Sequence, residues 1–206
     1  MNNKRYFVTA IGTDSGKTLF SAILVEALKA DYWKPVQAGF PRDTETVQSL
    51  VSNNTSRFHP EGYLLNTPAS PHAAAKIDHV RIEAKKIEVP QTDNHLIIEG
   101  AGGALVPLND DELVIDLARQ WDMEIILVSN LYLGSINHTL LTVEALKSRK
   151  LKVRGLVFNG PENRESEQII RQKSGYQLLM NLRDQEVINP KVVLSLAEEL
   201  RTHLQE

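Results

Sequence analysis

The chain has 206 residues, of which 42% are hydrophobic and 24% are charged, and its formal net charge is −3. These values are typical of an ordinary globular protein, and we expect one domain over residues 1–206. The charge argues against a nucleic acid or an anionic membrane as a partner. The absence of cysteine excludes disulfides, thiolate metal ligands and thiol catalysis. Because the chain shows no signal-peptide pattern and no apolar run of about 20 residues, we expect a cytoplasmic protein.

Short apolar runs alternate with longer helical patterns in the first half of the chain. The predicted elements are a strand at 6–10, a helix at 16–30, a strand at 32–36, a helix at 43–51 and a helix within 68–75. In the last of these, Pro71 suits the first helical position and Ser70 suits the N-cap.

The second half continues the alternation. It predicts a strand at 95–99, a helix at 112–121, a strand at 124–129, a helix at 137–148, a strand at 153–158, and two helical segments around a weak centre from residue 161 onward. Nearly continuous apolar strands separated by helices indicate an α/β domain with a mostly parallel sheet and helices on both faces. Ligands of such sheets bind beyond the carboxyl ends of the strands.

The segment 10–18, which reads AIGTDSGKT, follows a predicted strand and opens a predicted helix. This is the context of a phosphate-binding loop, in which backbone N–H groups and a helix N-terminus surround phosphate oxygens. Lys17 would then neutralise the β- and γ-phosphates, and the Thr18 hydroxyl would bind Mg²⁺. Ile11 stands where the usual pattern has glycine, so the sequence predicts a variant loop. The alternative is a strand–turn–helix in which Gly-Lys-Thr is accidental.

A second motif, Lys34-Pro35-Val36-Gln37-Ala38-Gly39, ends the next predicted strand. Beside a phosphate loop, Lys34 would supply a second cation near the γ-phosphate, where phosphoryl transfer needs negative charge stabilised. Alone, it would be read as a solvated lysine beside a turn. Asp43, at the start of the following helix, is either an N-cap or a carboxylate ligand of Mg²⁺.

A third motif joins a buried strand to a glycine-rich turn. Glu99 ends the strand, and Gly100-Ala101-Gly102-Gly103 follow it. One interpretation is a tight turn capped by an exposed Glu. The other is a ligand site, because the glycines allow a ligand to approach the backbone closely, and a carboxylate in this position commonly holds the metal of a P-loop enzyme. Thr18, Asp43 and Glu99 therefore form a hard-oxygen set suited to Mg²⁺.

These motifs, in this order, resemble the dethiobiotin synthetase family, a branch of the P-loop NTPases. The resemblance covers most of the chain and includes the phosphate loop, the Lys34 motif, Ser70-Pro71-His72, the Glu99 motif, the segment 133–138 (LGSINH) and the segment 155–159 (GLVFN). It implies an ATP-dependent cyclo-ligase of biotin biosynthesis that closes a cyclic urea on 7,8-diaminononanoate with CO₂ and Mg·ATP. A carbamate and a carbamic–phosphoric anhydride would be the intermediates.

The resemblance also implies a role for each matching residue. Lys34, Lys17 and Thr13 would be catalytic, and Thr18, Asp43 and Glu99 would hold Mg²⁺. The nucleotide would contact the loop, the metal ligands, the Glu99 turn and an amide that pairs with adenine, namely Asp14, Ser15, Gly16, Lys17, Thr18, Asp43, Glu99, Gly100, Ala101, Gly102 and Asn159.

Members of the family are homodimers with the substrate near the subunit interface. The resemblance therefore implies that Leu133, Gly134, Ser135 and Asn137 contact the diamine from the partner subunit, and that Ala38 lies beside it. Many members have Ser or Thr at the position of Ala38, so this chain lacks one hydroxyl contact.

The main alternative is a regulatory or partitioning-type P-loop ATPase. Such switches commonly carry a second lysine early in the loop, whereas this chain has Ala10-Ile11-Gly12-Thr13 there. A non-catalytic nucleotide-binding scaffold would lack Lys17 or the metal carboxylate, and both are present.

Overall fold

The computed structural model of the chain describes residues 3–204. Residues 1, 2, 205 and 206, which the expected domain 1–206 includes, lie outside the described residues. Described strands are β1 (Arg5–Ala10), β2 (Asp31–Trp33), β3 (Val36–Ala38), β4 (Phe58–His59), β5 (Tyr63–Leu65), β6 (Leu96–Glu99), β7 (Glu124–Asn130), β8 (Val153–Asn159) and β9 (Leu178–Leu182). Described α-helices are α1 (Lys17–Leu28), α2 (Asp43–Leu50), α3 (Pro71–Ile77), α4 (Val114–Gln120), α5 (Ser135–Ser148), α6 (Arg164–Ser174) and α7 (Pro190–Leu204).

Seven of these strands form one parallel sheet in the order β4-β2-β6-β1-β7-β8-β9. The other two, β3 and β5, pair in a small parallel sheet of their own. Strand β1 lies at the centre with β6 and β7 on either side, so the loop that follows β1 emerges where the strand order reverses. In α/β sheets this is the usual position of a ligand site.

Apolar side chains cover both faces of the sheet. On β1, Phe7 belongs to the hydrophobic cluster of one face, while Tyr6 and Val8 belong to the cluster of the other. Helices α4, α5 and α6 pack on the first face, and α1 and α7 pack on the second. The predicted α/β architecture, with a mostly parallel sheet and helices on both faces, is therefore confirmed.

The predicted strand at 32–36 is wrong as a single strand. The chain forms β2 in the main sheet, leaves it at Lys34 and Pro35, and forms β3 in the small sheet. Pro35 explains the break, because proline has no N–H to donate to a strand ladder. The break also lets the Lys34 side chain reach the groups beyond the carboxyl end of β6.

The prediction for the C-terminal region, two helical segments around a weak centre, also needs correction. The centre forms the edge strand β9 between α6 and α7. Helix α3 begins as predicted, with Ser70 at the N-cap and Pro71 at the first helical position. No helix in the described range 3–204 has the length and apolar character needed to span a membrane.

Candidate active site

The loop between β1 and α1 wraps around its own lysine. The Lys17 ammonium donates to the Gly12 carbonyl at 3.2 Å, and the Ser15 hydroxyl donates to the same carbonyl at 3.1 Å. The loop turns through left-handed backbone at Asp14 (φ 53°) and Gly16 (φ 90°). Because α1 starts at Lys17, its first N–H groups have no partners within the helix and point toward the loop.

Gly16 and Asn159 fit closely together. A Cβ atom on Gly16 would lie 2.5 Å from the Asn159 amide nitrogen, so no larger residue fits there without displacing Asn159. That nitrogen donates to the Ser15 carbonyl at 3.1 Å. Asn159, at the end of β8, therefore supports the phosphate loop. Its predicted contact with adenine stays a prediction.

Lys17 is almost buried, with 7% of its surface exposed. Burial, together with the positive charge of Lys34, lowers the pKa of Lys17 to about 8, although Glu99 and Asp43 act in the opposite direction. An ammonium this poorly solvated gains from an anionic partner, and a phosphate is such a partner.

Lys34 lies just beyond the end of β2 and is also buried. Its ammonium is 2.5 Å from Asp43 Oδ2 and 3.0 Å from Glu99 Oε1, and it donates to the Gly100 carbonyl at 3.3 Å. Burial alone would lower the pKa of Lys34, but the two carboxylates more than offset this, so the net pKa is raised. Lys34 therefore remains a cation.

Glu99 is fully buried at the end of β6. Its Oε1 accepts hydrogen bonds from the Thr18 hydroxyl and the Lys34 ammonium, each at 3.0 Å, and its Oε2 accepts one from the Tyr32 hydroxyl at 3.0 Å. Burial and the charge of Glu99 raise the pKa of Tyr32 well above its ordinary value, so Tyr32 stays neutral and is the donor.

A cavity of about 770 Å³ opens above these groups. The cavity is lined by the phosphate loop, by Lys34, Glu99 and Asp43, and by the turns before α2 and α3. Of the predicted site residues, those that line it are Thr13, Asp14, Ser15, Gly16, Lys17, Thr18, Lys34, Ala38, Asp43, Glu99, Ala101 and Gly102. The three sequence motifs thus meet at one cavity.

The oxygen donors suit a hard divalent cation. Asp43, Glu99 and Thr18 contribute two carboxylates and a hydroxyl, and both carboxylates already converge on a cation, the Lys34 ammonium. Within residues 3–204, no group of three or more His, Cys, Asp or Glu side chains is arranged to hold a metal ion. Two carboxylates and a hydroxyl suit Mg²⁺, which is usually held by one or two carboxylates while keeping several waters.

Comparison with known proteins decides the family. Residues 4–192 match a family model described as an AAA domain. The ATP-dependent dethiobiotin synthetase of Cytophaga hutchinsonii is 56% identical over 199 residues, covering 96% of this chain and 97% of that protein. That of Christiangramia forsetii is 48% identical over 203 residues, covering 98% of each. The chain belongs to the ATP-dependent dethiobiotin synthetase family.

Solved structures extend the family's fold to more distant proteins. A putative plasmid partition protein from Borrelia burgdorferi, bound to AMPPNP, matches with a TM-score of 0.62 and 12% identity, over 100% of this chain and 99% of that chain. The septum site-determining protein MinD from Pyrococcus horikoshii matches with a TM-score of 0.59 and 15% identity, over 97% and 96%. At these identities the likeness concerns the fold alone. The dethiobiotin synthetase family and the partitioning ATPases thus share one architecture.

The remaining predicted site residues of this dethiobiotin synthetase family member lie outside the cavity lining. Gly100 contributes its carbonyl to Lys34, and a Cβ atom there would lie 3.0 Å from the side chains of Phe7 and Val114. Leu133, Gly134, Ser135 and Asn137 lie at the start of α5, and Leu133 is fully exposed. Their predicted contact with substrate assumes a partner subunit and stays a prediction.

Two side chains that the motifs left without a role belong to the site. Tyr32 holds Glu99, as described above. Gln37 is buried, lines the cavity, donates to the Gly39 carbonyl at 3.0 Å and accepts from the Asp43 N–H at 3.1 Å. It thereby fixes the start of α2, where Asp43 is the first helical residue and Arg42 is the N-cap. For Tyr32, the available signal was its position two residues before Lys34, on the same face of the strand predicted at 32–36.

Proposed function

We propose that this chain closes a cyclic urea on 7,8-diaminononanoate, using CO₂ and Mg·ATP and releasing dethiobiotin, ADP and phosphate. The observation that carries the proposal is the meeting of Lys17, Lys34 and the Asp43–Glu99 carboxylates at one cavity above the phosphate loop. That arrangement suits phosphoryl transfer to a carboxylate-like acceptor, because two cations flank the position of the terminal phosphate.

The nucleotide phosphates bind the loop. The phosphate oxygens are surrounded by the free N–H groups at the start of α1 and by the backbone of Asp14 to Gly16. The Lys17 ammonium gives up its hydrogen bond to the Gly12 carbonyl and binds the phosphate oxygens instead. Lys17 also lines the cavity, so its ammonium attracts the carbamate as well. Thr13, exposed at the loop and lining the cavity, donates its hydroxyl where the two ligands meet.

The proposed reaction passes through a carbamate and a carbamic–phosphoric anhydride. A substrate amine attacks CO₂ and loses a proton, which gives a carbamate. A carbamate oxygen attacks the γ-phosphorus and ADP leaves, forming a carbamic–phosphoric anhydride. The second amine then attacks the carbonyl carbon, phosphate leaves with the C–O bonding electrons, and the ring closes with loss of a proton.

Lys34 stabilises the phosphoryl group while it is transferred. Its ammonium is buried and its pKa is raised, so it carries its full charge at neutral pH. That charge stabilises the negative charge that develops on the oxygens of the transferred group. Its carboxylate partners hold it at the edge of the cavity. We assign Lys34 and Lys17 as catalytic residues.

Asp43, Glu99 and Thr18 would hold Mg²⁺. When bound there, the ion would supply positive charge that offsets the negative charge of the nucleotide phosphates. Gln37 fixes the Asp43 backbone, and Tyr32 holds one oxygen of Glu99. Both carboxylate residues of this set are therefore held in place by a neighbouring side chain.

The substrate and the partner subunit complete the proposal. Ala38, Pro68 and Val106 offer apolar surface in the cavity for the aliphatic part of a diamino acid. We propose a homodimer in which 133–137 of one subunit approach the substrate of the other, supported by the exposure of Leu133, Tyr132 and Leu141. We also propose a cytoplasmic location and no nucleic-acid partner.

The test is turnover by purified protein. Diaminononanoate, bicarbonate and Mg·ATP should give dethiobiotin and ADP in equal amounts, measured by mass spectrometry and by coupled ADP release. Omission of the diamine or of bicarbonate should remove most of the ADP release. ADP release that does not depend on the diamine would reject the synthetase activity and would favour a simple ATPase.

A further inference from the structure

Tyr32 is a buried tyrosine whose hydroxyl reaches the proposed metal site. It lies in the middle of β2 with no exposed surface, and its ring packs against Phe58 with the ring centroids 6.3 Å apart. Its hydroxyl donates to Glu99 Oε2 at 3.0 Å. The side chain is thus fixed at both ends, by ring packing and by one hydrogen bond.

The two oxygens of Glu99 have separate partners. Oε1 accepts from Thr18 and Lys34, whereas Oε2 accepts from Tyr32. In the described part of the chain, no other side chain or backbone group donates to Oε2. Without the Tyr32 hydroxyl, a fully buried carboxylate oxygen would lose its hydrogen bond, and the carboxylate could rotate to share both oxygens with Lys34.

We propose that Tyr32 is a positioning residue for the divalent cation, which it serves by directing Glu99 Oε1 toward Thr18. This rests on the proposed magnesium site. Outer hydrogen-bond partners orient the ligands of a metal in this way, and losing one typically costs about ten- to a hundredfold in metal affinity. As a neutral donor, Tyr32 orients the carboxylate and leaves its negative charge in place for the cation.

Tyr6 provides a matched control. Tyr6 and Tyr32 flank Ile97 in the same row of the sheet, and both pack in the same hydrophobic cluster. The charges that act on the Tyr6 hydroxyl are those of Arg154 and Glu124, far along the sheet from the phosphate loop. Tyr6→Phe therefore removes the same atom from the same layer without touching Glu99.

The experiment measures Mn²⁺ binding in the presence of saturating ADP, by the loss of the free Mn²⁺ signal in electron paramagnetic resonance. Tyr32→Phe should raise the Kd for Mn²⁺ by about ten- to a hundredfold. Tyr6→Phe should change it less than twofold. ADP binding in EDTA, measured by calorimetry, should be unchanged in both variants, which also shows that each variant is folded.

A double-mutant cycle with Glu99→Gln tests the route of the effect. Tyr32→Phe should cause no further loss of Mn²⁺ binding in the Glu99→Gln background, because its only connection to the cation is that carboxylate. If Tyr32→Phe does not fold, the wild-type protein is instead labelled with tyrosine that carries ¹³C at the ring carbon bearing the hydroxyl. The tyrosine resonance that Glu99→Gln shifts is that of Tyr32. The same resonance should move when Mg²⁺ binds to the wild-type ADP complex.

The outcomes separate the two proposals. If the wild type binds no Mn²⁺ with ADP, the magnesium site itself fails. If the wild type binds Mn²⁺ and Tyr32→Phe binds it equally well, or if Tyr6→Phe shows the same loss, the role of Tyr32 is overturned while the site stands.

Discussion

The two ends of β2 each carry a buried ionic cluster, and the clusters differ in what surrounds them. At the amino end, Asp31 accepts hydrogen bonds from the Arg57 N–H and the Asn94 amide on one oxygen, and from the Thr92 hydroxyl and the His59 ring on the other. Each oxygen of this buried carboxylate therefore has two donors from the surrounding fold. We call Asp31 and these four donors the closed cluster.

At the carboxyl end, the Lys34 ammonium pairs with the carboxylates of Asp43 and Glu99, beside a cavity of about 770 Å³. We call these three residues the open cluster. Buried charge needs partners in either case, but side chains that pair across a cavity can exchange those partners for a ligand. Burial of charge alone therefore does not mark an active site. The partners and the adjoining space do.

The largest expected effect comes from removing the cation of the open cluster. Lys34→Gln should lower the turnover number by at least about 10³-fold, because the charge that stabilises phosphoryl transfer is lost. ADP affinity in EDTA should change only a few-fold, since the phosphate loop is intact. Dethiobiotin formation measures the first quantity and calorimetry the second.

An exposed lysine on α6 supplies the control. Lys173→Gln removes the same charge from the surface and should leave turnover unchanged. If Lys34→Gln retained more than a tenth of the wild-type turnover number, the distinction between the open and the closed cluster would lose its functional meaning.

The second effect concerns the pH dependence of nucleotide binding. With a pKa of about 8, Lys17 loses its proton in the free protein as the pH rises past 8, whereas bound phosphates keep it protonated. The Kd for ADP in EDTA should therefore be constant below this pH and rise toward tenfold per pH unit above it. Calorimetry between pH 7 and pH 9.5 measures this.

The control for that slope is Lys17→Arg, since a guanidinium does not lose its proton in this range. Its ADP affinity, though weaker, should not vary with pH. A wild-type Kd that stays flat up to pH 9.5 would contradict the low pKa and would mean that the ammonium is better solvated than its 7% exposure indicates.

Much of the open cluster was predictable from the sequence. Strand ends identified Lys34 and Glu99, and parallel pairing of neighbouring strands brings such ends to one edge of the sheet. The sequence could not show that β2 lies next to β6, because strand order depends on packing between distant segments. For this reason the contact of Tyr32 with Glu99 was not predicted.

The errors have equally specific causes. Pro35 lies within the strand predicted at 32–36, but proline has no N–H for a strand ladder, and β2 and β3 on either side of it belong to different sheets. The strand β9 was missed because its apolar run is short and contains Asn181, so its strand pattern is weak. The role predicted for 133–137 depends on a second copy of the chain, which one sequence does not position.

The third expected effect comes from removing the charge of Asp31 in the closed cluster. Asp31→Asn should lower the free energy of unfolding by about 1–3 kcal/mol, because buried donors lose their charged acceptor. Turnover should stay within about twofold of the wild type, since the Asp31 end of β2 contacts no part of the cavity. Urea unfolding measures stability. A large loss of turnover in folded protein would show that the two clusters are coupled.

The same variant has a pH signature. Burial alone would raise the pKa of Asp31, but the hydrogen bonds from Thr92, the Arg57 N–H and Asn94 lower it overall. A carboxylate whose folded pKa is depressed contributes stability above its unfolded pKa of about 3.9, and the contribution is lost as the pH falls through the folded pKa. The stability difference between wild type and Asp31→Asn should therefore shrink below about pH 4.

The smallest expected effect comes from adding a hydroxyl group to the cavity beside the open cluster. Ala38, on β3, lines the cavity and presents a methyl group but no hydroxyl there. Ala38→Ser should lower the KM for the diamine by up to about tenfold, the value of one hydrogen bond, with a smaller change in the turnover number. Ala73→Ser, on α3 and outside the cavity lining, is the control and should leave KM unchanged. If Ala38→Ser raised KM instead, the methyl group would be packing against the substrate, and the cavity would recognise the aliphatic chain there.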